Sequence, residues 1–299
     1  MNKGKVMKNN YASISLLFTV LLMVNKSYGQ DDFPVLEGPY LGQKPPGLTP
    51  ELFAPGTIAT RDWEGGAAFS NDMKEFYFTR QHPETKSVET VVFKSKDDRW
   101  YMSDVFPGYG PSFAPDGKVM HFGKRYKERT DSGWSEMKNL GSPFEEIRIM
   151  SLKVSNKGTY VFDEVGTNGD GIIRYSRLVD GIREEPQPFG KEINTGLWNA
   201  HPYIAPDESY IMWDGEREGG YGGSDLYVSF KEADGSWGEA INLGGEINTE
   251  VDDGGPRITP DGKYLFFSRV VAPADGDRWP DVDTYWVDAQ VVESLRPRN

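Results

Sequence analysis

One phrase recurs five times along the chain and limits the folds that the chain can adopt. Its best copy, residues 253–270, leads into the turn Pro260-Asp261-Gly262 and then into a run of aromatic and β-branched residues. Pro, Asp and Gly favour a tight turn, whereas aromatic and β-branched residues favour strands, so each copy predicts a β-hairpin. The other copies carry their turns at these positions: Asn71-Asp72, Pro115-Asp116-Gly117, Asn156-Lys157-Gly158 and Pro206-Asp207-Glu208.

The period of the repeat indicates a propeller. Equivalent turn residues are separated by roughly 40 to 55 residues, which suits a blade of four antiparallel strands. A second hairpin follows each first one, as in the run that starts at Asp225 and continues past Trp237. The sequence therefore predicts an all-β fold with a single β-propeller of five blades, and six blades are the alternative. Residues 51–59 resemble the last strand of a blade, so they are predicted to complete the fifth blade and close the ring.

The turn phrase followed by an aromatic strand resembles the TolB-like, or WD40-like, β-propeller repeat of exported bacterial proteins. The resemblance extends over roughly residues 45 to 295, and it implies the fold more specifically than any activity. Propellers similar to this one include lyases and dehydratases that act on uronic-acid ends of oligosaccharides, so the resemblance implies a role in polysaccharide degradation. The lyases hold a metal with a histidine cluster. Because the three histidines here are scattered along the sequence, no metal and no other cofactor is expected.

The N-terminal residues predict export. Lys3, Lys5 and Lys8 precede an apolar run at residues 14–24, and small residues follow before Gln30. This pattern is typical of a signal peptide, here residues 1–29, and the apolar run is too short to span a bilayer. Residues 30–48 are then predicted as an extended lead-in and residues 49–299 as the propeller. The mature protein is expected in the periplasm or outside the cell, without membrane insertion.

Composition excludes several kinds of function. The chain has 299 residues and no cysteine, so disulfides, a cysteine nucleophile and thiolate metal sites are excluded. Its formal net charge of -13 argues against nucleic acid or an anionic membrane as a partner, since both bind basic surfaces. No coiled-coil pattern is present, and the sequence predicts a monomer.

Aromatic and titratable residues precede the first strand of each predicted blade. These strands line the channel of a propeller, and the residues before them form one rim. Trp63 and Trp198 are predicted to stack on a sugar. His201 and Tyr109 are the candidate base and acid of a reaction, in either order. His121 lies inside a predicted strand between apolar residues, so its predicted role is structural.

Basic residues follow the second strand in four of the five blades. If they converge, they form an anion site, because arginine binds carboxylates and sulfates through two hydrogen bonds. The alternative is that each pairs with a neighbouring carboxylate of the acidic chain. The predicted substrate-binding arginines, of which one precedes the third blade, are Arg80, Arg125, Arg148, Arg217 and Arg269.

Together these patterns favour an enzyme that acts on an anionic oligosaccharide by elimination. A base removes the proton at C5 of a uronic acid, and C4 expels water or a glycosyl oxygen to leave a 4,5-unsaturated sugar. Cationic groups must neutralise the carboxylate for this proton to be removed. The main alternative is a non-catalytic propeller that binds glycan or protein at the cell envelope. A hydrolase that uses Glu64 and Asp253 as paired carboxylates is less favoured.

Overall fold

A computed structural model describes residues 36–60, 62–82, 84–166, 170–274 and 279–298. The predicted signal peptide, residues 1–29, lies outside the described residues. Within the described ranges, no helix has the length and apolar character needed to cross a membrane.

Nearly all regular structure is extended, as the repeat predicts. Strands form where aromatic and β-branched residues lie between turns rich in Gly, Pro and Asp. In chain order the elements are β1 (Leu36–Glu37), β2 (Glu51–Leu52), β3 (Glu64–Phe69), β4 (Glu75–Gln81), β5 (Val88–Lys96), β6 (Arg99–Pro107), β7 (Ser112–Phe113), β8 (Val119–Phe122), β9 (Arg125–Thr130), β10 (Gly133–Trp134), β11 (Lys138–Asn139), β12 (Leu152–Val154), β13 (Tyr160–Val165), β14 (Gly171–Ser176), β15 (Leu178–Val179), β16 (Ile182–Arg183), β17 (Gln187–Pro188), β18 (Trp198–Ile204), β19 (Tyr210–Glu216), β20 (Asp225–Phe230), β21 (Ile241–Asn242), β22 (Asp253–Ile258), β23 (Tyr264–Ala272), β24 (Asp281–Asp288) and the short helix α1 (Gln290–Glu293).

The strands of the described residues form five antiparallel blades, so the prediction of five is confirmed and the alternative of six is wrong. Blade 1 has the order β3-β4-β5-β6-β1 and blade 2 the order β7-β8-β9-β10, with β11 also on β9. Blade 3 is β12-β13-β14-β17 with the separate hairpin β15-β16, blade 4 is β18-β19-β20-β21, and blade 5 is β22-β23-β24-β2. The innermost strands contact one another around the axis, β7 with β12, β12 with β18, β18 with β22 and β22 with β3.

Blade 5 is closed by an N-terminal strand, as predicted. In β2, Glu51 pairs with Trp286 and Leu52 with Tyr285 of β24, and the backbone N–H of Phe53 continues the ladder by donating to the carbonyl of Thr284. Phe53 is fully buried between the rings of blades 1 and 5. The ring is therefore joined both by a backbone ladder and by an aromatic core.

Part of the predicted lead-in folds onto blade 1. Leu36 and Glu37 pair with Trp100 and Arg99 at the outer edge of the blade. Tyr40 and Leu41, which follow, are buried in the core cluster that fills the junction of blades 5 and 1. Residues of the predicted lead-in thus pack on the propeller, because their apolar side chains cover ring surface that would otherwise face water.

The closing segment generates a stability prediction. Phe53→Ala removes a fully buried ring that contacts Phe76, Phe266 and Trp286. We expect the free energy of unfolding to fall by about 3–5 kcal/mol, as for other buried Phe truncations, measured by urea denaturation. Leu52→Ala, whose side chain is 38% exposed in the adjoining strand, is the matched control and should cost less than about 1 kcal/mol. Equal losses in the two variants would contradict a role for ring packing in closure.

Candidate functional site in the central channel

The five-fold repeat places equivalent residues at the same level of the central channel. The first turn residue of each blade is Asn71 in blade 1 and its counterpart in the others. The positions five residues before these turn residues define an upper ring. Its members are Gly66, Gly110, Ser151, His201 and Gly255. Three members of the ring are glycines, and His201 of blade 4 is its large side chain.

The backbone at His201 has a conformation that glycine normally adopts. Its φ is 45°, while the equivalent Gly66 and Gly255 have φ of 66°. All three lie in β-bulges of the innermost strands β18, β3 and β22. A positive φ costs free energy for a residue with a Cβ, and such strain is often retained at functional sites. The bulge therefore identifies His201 as a functional candidate on geometric grounds.

Hydrogen bonds between blades hold this ring in place. The Asp163 carboxylate of blade 3 accepts from the backbone N–H of His201 at 2.9 Å. In the same way Thr79 accepts from Gly110 at 3.0 Å, and Asp214 accepts from Gly255 at 2.8 Å. Each of these bonds links the second strand of one blade to the innermost strand of the next. We refer to them as the inter-blade latches.

The ring of His201 is ion-paired with Asp214, which lies 2.9 Å from Nδ1. The indole N–H of Trp198 donates to the same carboxylate at 3.4 Å. No group of the described residues hydrogen-bonds Nε2, and the side chain is 42% exposed. Burial lowers the pKa of His201, but Asp214 and Asp163 outweigh it and raise the pKa to about 9. At neutral pH the imidazole is therefore protonated, and its Nε2–H has no hydrogen-bond acceptor among the described residues.

A lower ring lies two residues further along the same strands. Its members are Ala68, Ser112, Lys153, Tyr203 and Arg257, each three residues before the equivalent turn residue. All five line a cavity of about 560 Å³, which extends to the turns around Asn71, Pro115, Asn156, Pro206 and Pro260. This volume lies in the range of small-molecule sites. The cavity occupies the end of the channel opposite to the predicted rim, so the turn end of the channel also offers a site.

The lower ring contains two basic side chains, Lys153 on blade 3 and Arg257 on blade 5, which flank blade 4 in the ring. Arg257 donates to the backbone carbonyls of Gly66 and Ala67 at 3.1 and 3.5 Å. Burial lowers the pKa of Arg257 to about 10. Burial and then the charge of Arg257 lower the pKa of Lys153 well below its ordinary value, although Asp163 acts in the opposite direction. The lower ring thus places the charge of Arg257 beside an amine whose pKa is depressed.

The structure brings two of the predicted rim residues together. The rings of Trp63 and Tyr109 meet edge to face with centroids 6.1 Å apart, and Trp279 meets Trp63 at 5.5 Å. Tyr109 is 61% exposed and Trp279 is 37% exposed. We call these three residues the aromatic rim. Trp198 lies instead at the start of β18, where it contacts Asp214.

Three of the five predicted arginines have partners of their own. Arg80 pairs with Glu89 at 2.9 Å, and Arg269 pairs with Asp253 at 2.6 Å. Arg217 donates to the carbonyl of Ile193 and lies over the rings of Trp213 and Tyr227. The last two, Arg125 and Arg148, are exposed. The ion pairs of Arg80 and Arg269 are those that the ion-pairing alternative expects. Convergence of the five arginines on one anion stays a prediction.

Two carboxyl groups considered for hydrolysis have structural partners. Asp253 is fully buried, is bound by Arg269 and accepts from the backbone N–H and hydroxyl of Thr249. Glu64 accepts from the hydroxyl of Thr60, and burial first, then Asp283, raise its pKa to about 8. Glu64 is therefore mostly protonated at neutral pH, which does not suit a hydrolytic base.

The remaining histidines lie outside this arrangement. His121 is buried between the rings of Tyr126 and Tyr160, and burial followed by Lys153 and Arg183 lowers its pKa to about 4. Its neutral, packed ring fits the predicted structural role. His82 accepts from backbone N–H groups in a loop. Within the described residues no group of three or more His, Asp or Glu side chains is placed to hold a metal.

Sequence reasoning identified His201 but missed Asp163, Asp214, Lys153 and Arg257. The signal that finds the two basic residues is the repeat itself. When the five turns are aligned, Lys153 and Arg257 occupy the same position as Ala68, Ser112 and Tyr203. A charged residue at a repeat position that elsewhere holds small or aromatic residues indicates a function that the fold does not require.

Comparison with protein-family models gives no match. Comparison with curated proteins gives no match either. Among solved structures, the catalytic domain of Coprinopsis cinerea GH62 α-L-arabinofuranosidase is similar at 9% identity and a TM-score of 0.51, over 81% of this chain and 97% of that domain. TolB from Acinetobacter baumannii is similar at 16% identity and a TM-score of 0.46, over 77% of this chain and 58% of TolB. Endo-arabinase from Bacteroides thetaiotaomicron VPI-5482 is similar at 16% identity and a TM-score of 0.45, over 76% and 94% of the two chains.

At these identities the likeness shows the propeller fold and leaves activity open. The chain spans 58% of the length of the TolB that it matches. The expected propeller is confirmed by the five blades. The resemblance to lyases and dehydratases of uronic-acid oligosaccharides stays a prediction.

The ion pair of His201 generates a prediction for pH. Its pKa in the folded protein, about 9, exceeds the ordinary value of 6.5. The pair therefore stabilises the fold fully below about pH 6.5 and ceases to do so as the pH rises through about 9. Because the ring is 42% exposed and screened by solvent, we expect a contribution of about 1 kcal/mol. Imidazole NMR titration of wild type should give a raised pKa, and Asp214→Asn should lower it; an ordinary value in both would contradict the pairing.

Proposed function

We propose that the protein is a carbohydrate-active enzyme that eliminates the C4 substituent from the uronic-acid end of an acidic oligosaccharide. The observation that carries the proposal is His201, a protonated imidazole that is held in a strained bulge and whose Nε2 forms no hydrogen bond within the described residues. Such a group is suited to donate a proton to a leaving oxygen. The sequence left its role open between base and acid, and the raised pKa favours the acid.

The reaction is an elimination across C4 and C5. A base takes the proton from C5, the C5–H electron pair forms the C4=C5 double bond, and the C4–O bond breaks. The departing oxygen receives the proton from Nε2 of His201 and leaves as water or as a sugar hydroxyl. Asp214 and Asp163 stabilise the imidazolium before the transfer and so hold it in its proton-donating state.

The aromatic rim supports a carbohydrate as the ligand. Trp63, Tyr109 and Trp279 expose apolar ring surface at one end of the channel, with polar tips that can hydrogen-bond hydroxyls. The predicted signal peptide supports action in the periplasm or outside the cell, where such oligosaccharides are encountered. This rim equally favours a second candidate function, a monomeric propeller that binds an acidic glycan without transforming it.

An elimination assay tests the proposal. The mature protein is incubated with oligosaccharides that end in glucuronate, galacturonate or their epimers, and the ultraviolet absorbance of a conjugated unsaturated uronate is followed. We expect product from wild type and a loss of rate of about 100-fold or more in His201→Gln. His82→Gln is the matched histidine control and should keep the wild-type rate, because His82 lies in a loop outside the channel.

A second variant separates chemistry from folding. His201→Gly places glycine where Gly66 and Gly255 already have a positive φ, so it relieves backbone strain. We expect its free energy of unfolding to remain within about 1 kcal/mol of wild type while elimination is lost. Absence of product from every acidic substrate, with binding still detected by calorimetry, would refute the enzyme and leave the glycan-binding propeller.

A further inference from the structure

The lower ring holds two basic groups without acidic partners. In the part of the chain that the structure describes, no carboxylate forms an ion pair with Lys153 or Arg257. Lys153 is buried and Arg257 is half-buried, and both line the 560 Å³ cavity. Arg257 stays charged at neutral pH, and withdrawing a cation from water without a counter-ion is costly, so a protein with a net charge of -13 is expected to pair this group unless a ligand does so. The missing partner is therefore an anion that enters the cavity.

The two groups differ in what they offer an anion. Arg257 is anchored by the carbonyls of Gly66 and Ala67, which fix the direction of its planar guanidinium. A fixed guanidinium is suited to a carboxylate. Lys153 forms no hydrogen bond within the described residues, and its amine faces the same cavity from blade 3. Lysines in such surroundings lose their proton readily and serve as general bases.

We propose that Arg257 binds the carboxylate of the acidic sugar and that Lys153 is the base that removes the C5 proton, with the substrate entering from the turn end of the channel. This inference rests on the proposed elimination and replaces Tyr109 as the base. C5 carries the carboxylate, so a base beside C5 must lie next to the group that binds that carboxylate. Tyr109 lies at the aromatic rim, whereas Lys153 and Arg257 share one ring and one cavity.

The proton balance of the step is complete within the channel. The neutral amine of Lys153 takes the C5 proton and becomes an ammonium, while the C5–H electron pair forms the double bond. Arg257 offsets the charge that develops on the carboxylate, which lowers the barrier to removing the proton. His201, one ring above on blade 4, protonates the leaving oxygen and becomes neutral. Lys153 then releases a proton and His201 regains one, so the site is reset without a cofactor.

Hydrogen exchange at C5 separates the base from the acid. Free glucuronate is incubated with the protein in D₂O, and incorporation of deuterium at C5 is followed by NMR. We expect exchange with wild type and with His201→Gly, since exchange needs the base and not the acid. In Lys153→Gln and in Lys153→Met we expect exchange and elimination to fall by about 100-fold or more. A role of Lys153 in folding alone would not give this pattern, and urea denaturation shows whether each variant is folded.

Calorimetry with glucuronate, and with glucose as the uncharged control, tests the carboxylate site. We expect wild type to bind glucuronate and not glucose, and Arg257→Gln to weaken glucuronate by about tenfold or more. Arg257→Lys keeps the positive charge but loses the planar guanidinium that forms two hydrogen bonds with a carboxylate, so it should weaken binding less than Arg257→Gln does. It replaces Arg257→Gln in this test if that variant does not fold. Lys153→Gln should bind glucuronate within about threefold of wild type.

The outcomes separate this inference from the proposed function. Elimination that persists in the Lys153 and Arg257 variants would overturn the inference and leave the proposed function intact. Glucuronate binding that depends on Arg257, without exchange or elimination in wild type, would refute both the enzyme and the base while confirming the carboxylate site. If wild type neither binds glucuronate nor exchanges its C5 hydrogen, the inference is overturned outright.

Discussion

The channel depends on the inter-blade latches, in which a side chain of one blade accepts the backbone N–H of the next innermost strand. Asp163 and Asp214 are almost completely buried, and a buried carboxylate is tolerated only when its lone pairs are satisfied. The backbone N–H of His201 donates to Asp163, and that of Gly255 donates to Asp214. The same bonds fix the bulges that give His201 its left-handed backbone. The hydrogen bond from the His201 backbone to Asp163 therefore both joins two blades and fixes the backbone of the catalytic candidate.

The latches also set the electrostatics of the channel. Asp214 and Asp163 raise the pKa of His201, so the imidazole is a proton donor at neutral pH. One ring below, Arg257 lies beyond ion-pair distance of any described carboxylate and lowers the pKa of Lys153. In the proposed mechanism the ion-paired His201 is the acid, and Lys153 beside the unpaired Arg257 is the base. Opposite environments that separate the pKa values of two groups are the usual means by which enzymes assign such roles.

Closure of the ring keeps these groups in place. The innermost strands come from all five blades, so any loosening between blades 5 and 1 would alter the rings at both levels. The ladder from Glu51 and Leu52 to β24 and the burial of Phe53 join the two ends of the propeller. The folded part of the lead-in adds Tyr40 and Leu41 to the same core. Channel geometry thus depends on aromatic packing at the junction of blades 5 and 1 as well as on the latches.

The sequence by itself determined the hairpin repeat, the number of blades and the closing strand, because turn chemistry and strand composition are local properties. It also indicated His201, at a repeat position that the sequence predicted to precede a strand and that the structure places within β18. It did not determine which basic residues face the channel. Along a strand, neighbouring side chains point to opposite faces, and a bulge changes the register by one residue. Arg80 and Arg269 therefore form ion pairs with carboxylates of their own blades. Lys153 and Arg257, in contrast, line one cavity although they belong to blades 3 and 5. Only tertiary structure decided this, because the separation of two blades around a closed ring is not encoded in the sequence near either residue.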